Sequence, residues 1–245
     1  MSSRKNRKLG KRGPRPKREP RLDQDAIISA GLTLTKTLPL QDVSMVRLAR
    51  KLGVTPASLH YYLDGRGALT ASIVNCFFRE LLSEWPALGA NPLTNLEKVA
   101  WSIYRQYVCY PGIAAYFAGH NRFDLLVKSA HQPYSENLYR FIERYFAVVE
   151  FAGLSAESAA VYAFVLIQFT IAAAHTSASH QLPGEQHELG VLLSSLPRAE
   201  YPAIHRMRRS YLGLTGDDAF AAGLRFLMAG LPVPRRTSTA RNARQ

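Results

Sequence analysis

The sequence predicts an all-α protein, with three short helices near the N-terminus followed by a larger helical body. Three observations carry this. No stretch alternates apolar and polar residues as a half-buried strand would. Three helix starts follow one another between Asp23 and Thr55, each with the same capping device. From residue 66 onward, long runs with apolar residues three and four apart are separated by proline and glycine breaks.

Residues 1–21 carry prolines, glycines and almost nothing apolar, so they predict a disordered arm with order beginning at Leu22. Asp23, Ser44 and Thr55 are the N-cap candidates, whose side-chain oxygens accept bonds from free amides of the first turn. An apolar residue precedes each cap and another stands five positions later: Leu22 with Ile27, Val43 with Leu48, Val54 with Leu59. That spacing is the hydrophobic staple, which fixes the angle of entry into a helix. The first helix is expected over 24–36, with Ile27, Ile28, Gly31 and Leu34 inward. The second covers 45–52, with Met45, Leu48, Ala49 and Leu52 on one face and Gly53 supplying the positive φ that ends it. The third covers 56–63, started by Pro56, anchored by Leu59 and Leu63 and closed by Asp64-Gly65.

Helices of about eight residues do not stand alone. Two of them joined by a tight glycine turn and braced by a third form the helix-turn-helix plan. Leu59 and Leu63 use up the inward face of the third helix, leaving Pro56, Ala57, Ser58, His60 and Tyr61 outward. Aromatic residues exposed on so short a helix imply a docking partner.

The body is read as helices at 67–85, 93–110, 113–119, 123–130, 134–152, 155–179, 200–212 and 216–230. The run "SAAVYAFVLIQFTIAAA" (158–174) is shorter than the roughly 20 apolar residues a membrane span needs. A helix apolar all round is expected between other helices, so no membrane partner is expected. "HQLPGEQHE" (180–188) gathers two histidines and two acids, but its proline and glycine predict a solvated loop rather than a metal site.

The formal charge of +13 is unevenly placed. The arm holds ten basic residues against Glu19 alone, and Arg235, Arg236, Arg241 and Arg244 lie in a second basic tail at 233–245. Residues 22–234 are therefore neutral as a whole, and the basic ends point to a polyanion. Cys76 and Cys109 sit among apolar neighbours, as thiols of a cytoplasmic protein would. The chain has no GxGxxG, glycine-lysine phosphate loop, HExxH or GxSxG, so neither an enzyme nor a cofactor or metal site is expected.

The stretch "DVSMVRLARKLGVTPASLHYYLDGRGALTASI" resembles the DNA-binding domain of TetR-type repressors in helix lengths, glycine position and tyrosine pair. "FAAGLRFLMAGL" (220–231) resembles the final dimerisation helix of the Tet repressors. The resemblance implies a DNA-binding domain at 22–70 and a ligand-binding and dimerisation domain at 71–232. It implies a homodimer through 155–179 and 216–230, whose third helices enter successive major grooves of a palindromic double-stranded operator. A small-molecule inducer would release it. An activator of the same fold and a weakly sequence-specific nucleoid-type binder are the alternatives.

Carried over by residue, the resemblance implies DNA contacts from Ser44, Thr55, Pro56, Ala57, Ser58, His60, Tyr61, Tyr62 and Arg66. Pro56 and Ala57 suit thymine methyls, His60 a base edge or phosphate, and the two tyrosines phosphates. Arg66 stands where the family usually has a phosphate-gripping lysine. Val46 replaces the guanine-reading arginine of the Tet repressors, which implies a different operator. Residues 22–70 carry five bases against four acids, so counterion release is assigned to the arm. Ligand contacts are expected from Tyr104, Tyr107, Tyr116, His120, Tyr139, Tyr162, Gln168, Thr170 and His175. Tyr116, Gln168 and Thr176 fall where Tet repressors hold a metal–tetracycline complex with two histidines and a glutamate, so that inducer is not expected.

Overall fold

The computed structural model describes residues 23–119, 136–179 and 183–231. Its helices are α1 (Gln24–Leu34), α2 (Met45–Leu52), α3 (Pro56–His60), α4 (Gly65–Ser83), α5 (Pro92–Cys109) and α6 (Pro111–Gly119). They continue with α7 (Glu136–Glu150), α8 (Ala156–Ser179), α9 (Pro183–Ser195), α10 (Pro202–Leu212) and α11 (Gly216–Ala229). A 3-10 turn at Leu40–Asp42 links α1 to α2, and no strand occurs among the described residues. The fold is all-α. The arm, Leu22, the helix expected at 123–130, His120 and the basic tail lie outside the described residues.

The three caps form as read. Asp23 accepts from the Asp25 amide, Ser44 from Arg47 and Thr55 from Ser58, each at 3.3 Å. Gly53 has φ +71°, and its amide returns to the end of α2. Ile27, Leu32, Leu48 and Leu59 are buried in a unit where α1 packs on α2 and α4, and α2 on α3. The α-helical part of α3 is shorter than expected, ending at His60. The Leu59 carbonyl accepts both the Tyr62 and Leu63 amides, at 3.0 and 3.1 Å, so the last turn tightens while still carrying Leu63 into the core.

The body packs around aromatic rings. Phe78 stacks on Phe141 at 4.8 Å, joining α4 to α7, and Phe77 meets Tyr107 of α5 at 4.9 Å. α8 lies against α5, α6, α7 and α11. The body meets the N-terminal unit backbone to backbone at Gly112, whose amide donates to the Thr35 carbonyl at 2.9 Å. A Cβ on Gly112 would lie 2.0 Å from the Leu38 carbonyl oxygen, so only glycine permits this approach. A Cβ on Gly223 would likewise meet the Phe169 ring at 2.3 Å, which sets how closely α11 approaches α8.

Two expectations are corrected. Residues 183–195, whose first part reads as a loop, form α9. Pro183 is its first residue, where a missing amide costs nothing, so this proline starts a helix instead of breaking one. The apolar window of α8 is also longer than 158–174. It covers Ala156–Ser177, enough by length and composition to cross a membrane, yet only 28% of it is buried in the chain.

Candidate nucleic-acid interface and effector cavity

α3 is held from below by Leu59, fully buried, and turns its other side chains outward. Pro56, Ala57, Ser58 and His60 are exposed, and Tyr61 is 88% exposed. Tyr62 is half-buried and braces Tyr61 edge to face at 5.3 Å, which limits where the Tyr61 ring can go. The Thr55 and Ser58 hydroxyls lie 2.9 Å apart. Ser44 is half-buried; as its oxygen accepts from the Arg47 amide, its own O–H remains a donor. Arg66, at the start of α4, donates from Nη2 to the Gln41 carbonyl while its side chain stays at the surface. Thus Ser44, Thr55 to Ser58, His60, Tyr61, Tyr62 and Arg66 share one region at the N-terminal end of the fold. Val46 is 55% exposed there, and Arg47 is exposed beside it.

The polar residues expected to line a ligand site differ in their surroundings. Tyr104 and Tyr107 are buried. The Tyr104 hydroxyl donates to Asp217 Oδ1 at 2.9 Å and its ring stacks on Phe220 at 4.0 Å, tying α5 to α11. Burial raises its pKa above the ordinary tyrosine value; the hydrogen bond with Ser177 acts the other way, and Asp217 raises it further. Tyr107 packs among Phe77 and Phe117. Thr170 donates to the Leu166 carbonyl at 2.7 Å within its own helix. The Tyr162 hydroxyl lies 3.2 Å from Met228 Sδ, and burial pushes its pKa up to about 12. Tyr116 and His175 are half-buried, while Tyr139 and Gln168 are exposed. His120 lies outside the described residues.

A cavity of about 620 Å³ opens between α8, α9, α10 and α11, lined in part by Phe169, Thr176, Glu185, Leu189, Tyr211 and Thr215. None of the eight described candidates lines it. Two of its walls come from α9 and α10, and α9 is the helix that the loop reading of "LPGEQ" hides. The signal available in the sequence was proline one position ahead of the turn-forming glycine, followed by the apolar "LGVLL". Among the described residues, no group of three or more His, Cys, Asp or Glu side chains comes together to hold a metal ion.

α8 has two apolar faces. Ala159, Ala163, Leu166, Thr170 and Ala174 are buried inward. Val161, Phe164, Val165, Gln168 and Ala172 form an exposed stripe at helical spacing, with Val161 61% and Phe164 51% exposed. On α11, Phe226 is 77% exposed.

No curated protein sequence matches the chain. Its fold matches solved structures from Streptomyces coelicolor. Ligand-free ActR aligns with a TM-score of 0.67 at 24% identity, covering 85% of this chain and 96% of that one. The TetR family protein ActR in complex with actinorhodin aligns at 0.69 and 24% identity, covering 86% and 95%. The transcriptional regulator SCO7222, a TetR, aligns at 0.64 and 16% identity, covering 85% and 97%. At these identities the likeness speaks for the fold. The family model for the tetracyclin repressor-like C-terminal domain matches residues 86–234, more than half of the sequence. With a capped three-helix unit ahead of a body that this model recognises, the chain belongs to the TetR family of transcriptional regulators.

Proposed function

We propose that the protein is a homodimeric repressor that reads a palindromic operator with α3 and leaves it when a small molecule binds the body. The observation that carries this is the outer face of α3: a helix pinned by one buried leucine, with His60 and an 88%-exposed Tyr61 held edge-on by Tyr62. Pro56, Ala57 and His60 face base edges; Ser44, Thr55, Ser58, Tyr61 and Tyr62 supply hydroxyls to phosphates. Arg66 exchanges the Gln41 carbonyl for a phosphate, a stronger, charge-assisted bond. Two such heads, about 34–36 Å apart, meet successive major grooves.

The dimer forms through the exposed stripe of α8 and through α11. A second copy is the occupant that this apolar face suits, since the stripe continues along a helix already packed on its other side. The basic arm at 1–21 supplies the counterion release that a nearly neutral head lacks. The effector enters between the body helices. A cavity of about 620 Å³ is within the range of about 300–1,000 Å³ usual for small-molecule sites. An effector shifts the protein off DNA to the extent that it binds the released state better.

Footprinting the purified chain on the DNA flanking its own gene tests the reading. A protected palindrome is expected, with at least about 10³-fold preference over random DNA at moderate salt. H60A/Y61A is expected to weaken it by about a hundredfold or more with the dimer intact. Equal affinity for random DNA would mean a nucleoid-type binder. Deleting 1–21 flattens the dependence of log affinity on log salt, and an unchanged slope removes the arm from the interface.

A further inference from the structure

A second concavity, of about 630 Å³, lies between the end of α4 and the outer face of α5. It is separate from the cavity at α8–α11, with which it shares no lining residue, and from the α5 face that carries Val99 and Ile103 into the core. Three features give it a chemical character. The Arg105 guanidinium lies over the Trp101 ring, 5.2 Å from its centroid, stacking a delocalised cation on the indole. The indole is held from behind, edge-on to Tyr104 at 5.5 Å and to Phe220 at 4.8 Å, so its ring is in place before anything binds. Gln106 lines the same concavity, and its Nε2 is buried with no hydrogen-bond partner among the described residues.

An orphaned buried amide donor is unfavourable until an acceptor reaches it. Turning the half-buried Gln106 side chain would bring this donor into the concavity, where an acceptor carried by a ring lying against Trp101 and Arg105 meets that need. The charges of the rim decide between an ionised and a neutral acceptor. Lys98 and Arg105 are offset by Glu84 and Glu97, and Lys98 already donates to the Ala87 carbonyl at 3.1 Å. The site therefore offers no net field that would repay the desolvation of a carboxylate. Leu81 and Pro86 complete an apolar wall. We propose that this groove binds a planar aromatic molecule bearing an uncharged carbonyl, with the ring stacked on Trp101 and Arg105 and the carbonyl oxygen accepting from Gln106.

The chain contains two tryptophans, so the indole N–H cross-peaks of the ¹⁵N-labelled full chain are two and are assigned with W85F. With 2-naphthamide as the probe, a saturable shift of the Trp101 cross-peak is expected. Cys109, exposed at the rim, should be alkylated several-fold more slowly at saturation. Naphthalene, the same ring without the acceptor, should bind about tenfold more weakly, and Q106L should lose that same factor while melting at or above the wild-type temperature. R105A should weaken both probes alike. The proposal is overturned by the absence of a saturable Trp101 shift, by equal affinity for the two probes, or by a Q106L protein that binds 2-naphthamide as the wild type does.

Discussion

α3 and α8 both leave apolar and aromatic side chains in the open, and they do so in different ways. On α3 the exposed groups carry polar tips or are small: a phenol, an imidazole, two hydroxyls, a proline and an alanine. On α8 the exposed stripe is Val161, Phe164 and Val165, with no hydrogen-bonding tip until Gln168. A nucleic acid presents phosphates, base edges and methyl groups, so it rewards the first kind of surface. A second copy of the same helix presents only what α8 itself presents, so it rewards the second. Exposure alone does not name a partner; the chemistry at the end of each side chain does.

Separating the two faces by mutation is the largest expected effect. V161D/F164D places four carboxylates in the proposed dimer seam, and sedimentation should report a monomer. Losing the tethered second head should cost about 10²–10⁴-fold in operator affinity, with α-helical circular dichroism retained. A dimer that survives this change would place the contact elsewhere. H60A/Y61A should do the reverse, leaving sedimentation unaltered while the footprint disappears.

The inner and outer sides of α3 differ in the same testable way. L59A removes a side chain with no exposure and should destabilise the N-terminal unit by about 2–5 kcal/mol, read as a lower urea midpoint. H60A/Y61A, being exposed, should shift that midpoint by no more than about 0.5 kcal/mol. T55A falls between the two. The Thr55 oxygen accepts from the Ser58 amide, and losing that cap should cost about 1 kcal/mol. A T55A protein as stable as the wild type would mean that Pro56 and Val54 suffice to start the helix.

The N-terminal unit was legible because its determinants are local. A cap, the amide it accepts and the two arms of a staple all lie within six residues, and each of the three caps forms. The body was legible as helices, while its long-range pairings were not. Tyr104 bonds to Asp217, 113 residues away, and Tyr162 reaches Met228 at a separation of 66, so no spacing in the sequence reveals these pairings. In this structure the Tyr104 hydroxyl is engaged by Asp217 and that of Tyr162 by Met228. α9 was missed for a different reason. Proline has opposite meanings at the first residue of a helix and in its interior, and only the following turn distinguishes them.

The smallest expected effect concerns the seam between α8 and α11 and appears only in alkali. Burial pushes the Tyr162 phenol up to about 12, against an ordinary value near 10. Between those two values the folded chain keeps a proton that the unfolded chain releases. The unfolded state therefore binds fewer protons, and stability falls as pH rises from about 10 through 12, while below 10 the group contributes no pH dependence. Tyr104 is also raised by burial, and Tyr110 by burial together with its 2.6 Å hydrogen bond to Glu80, so the wild-type decline has several contributors. Y162F removes one of them. Its urea midpoint should stay close to wild type at pH 7.5, where only the contact with Met228 is lost, and should fall less steeply between pH 10 and 12. Parallel alkaline slopes for the two proteins would show that Tyr162 ionises as freely in the fold as outside it. The close packing of α11 on α8, set by Gly223 against the Phe169 ring, would then not shield that phenol from water.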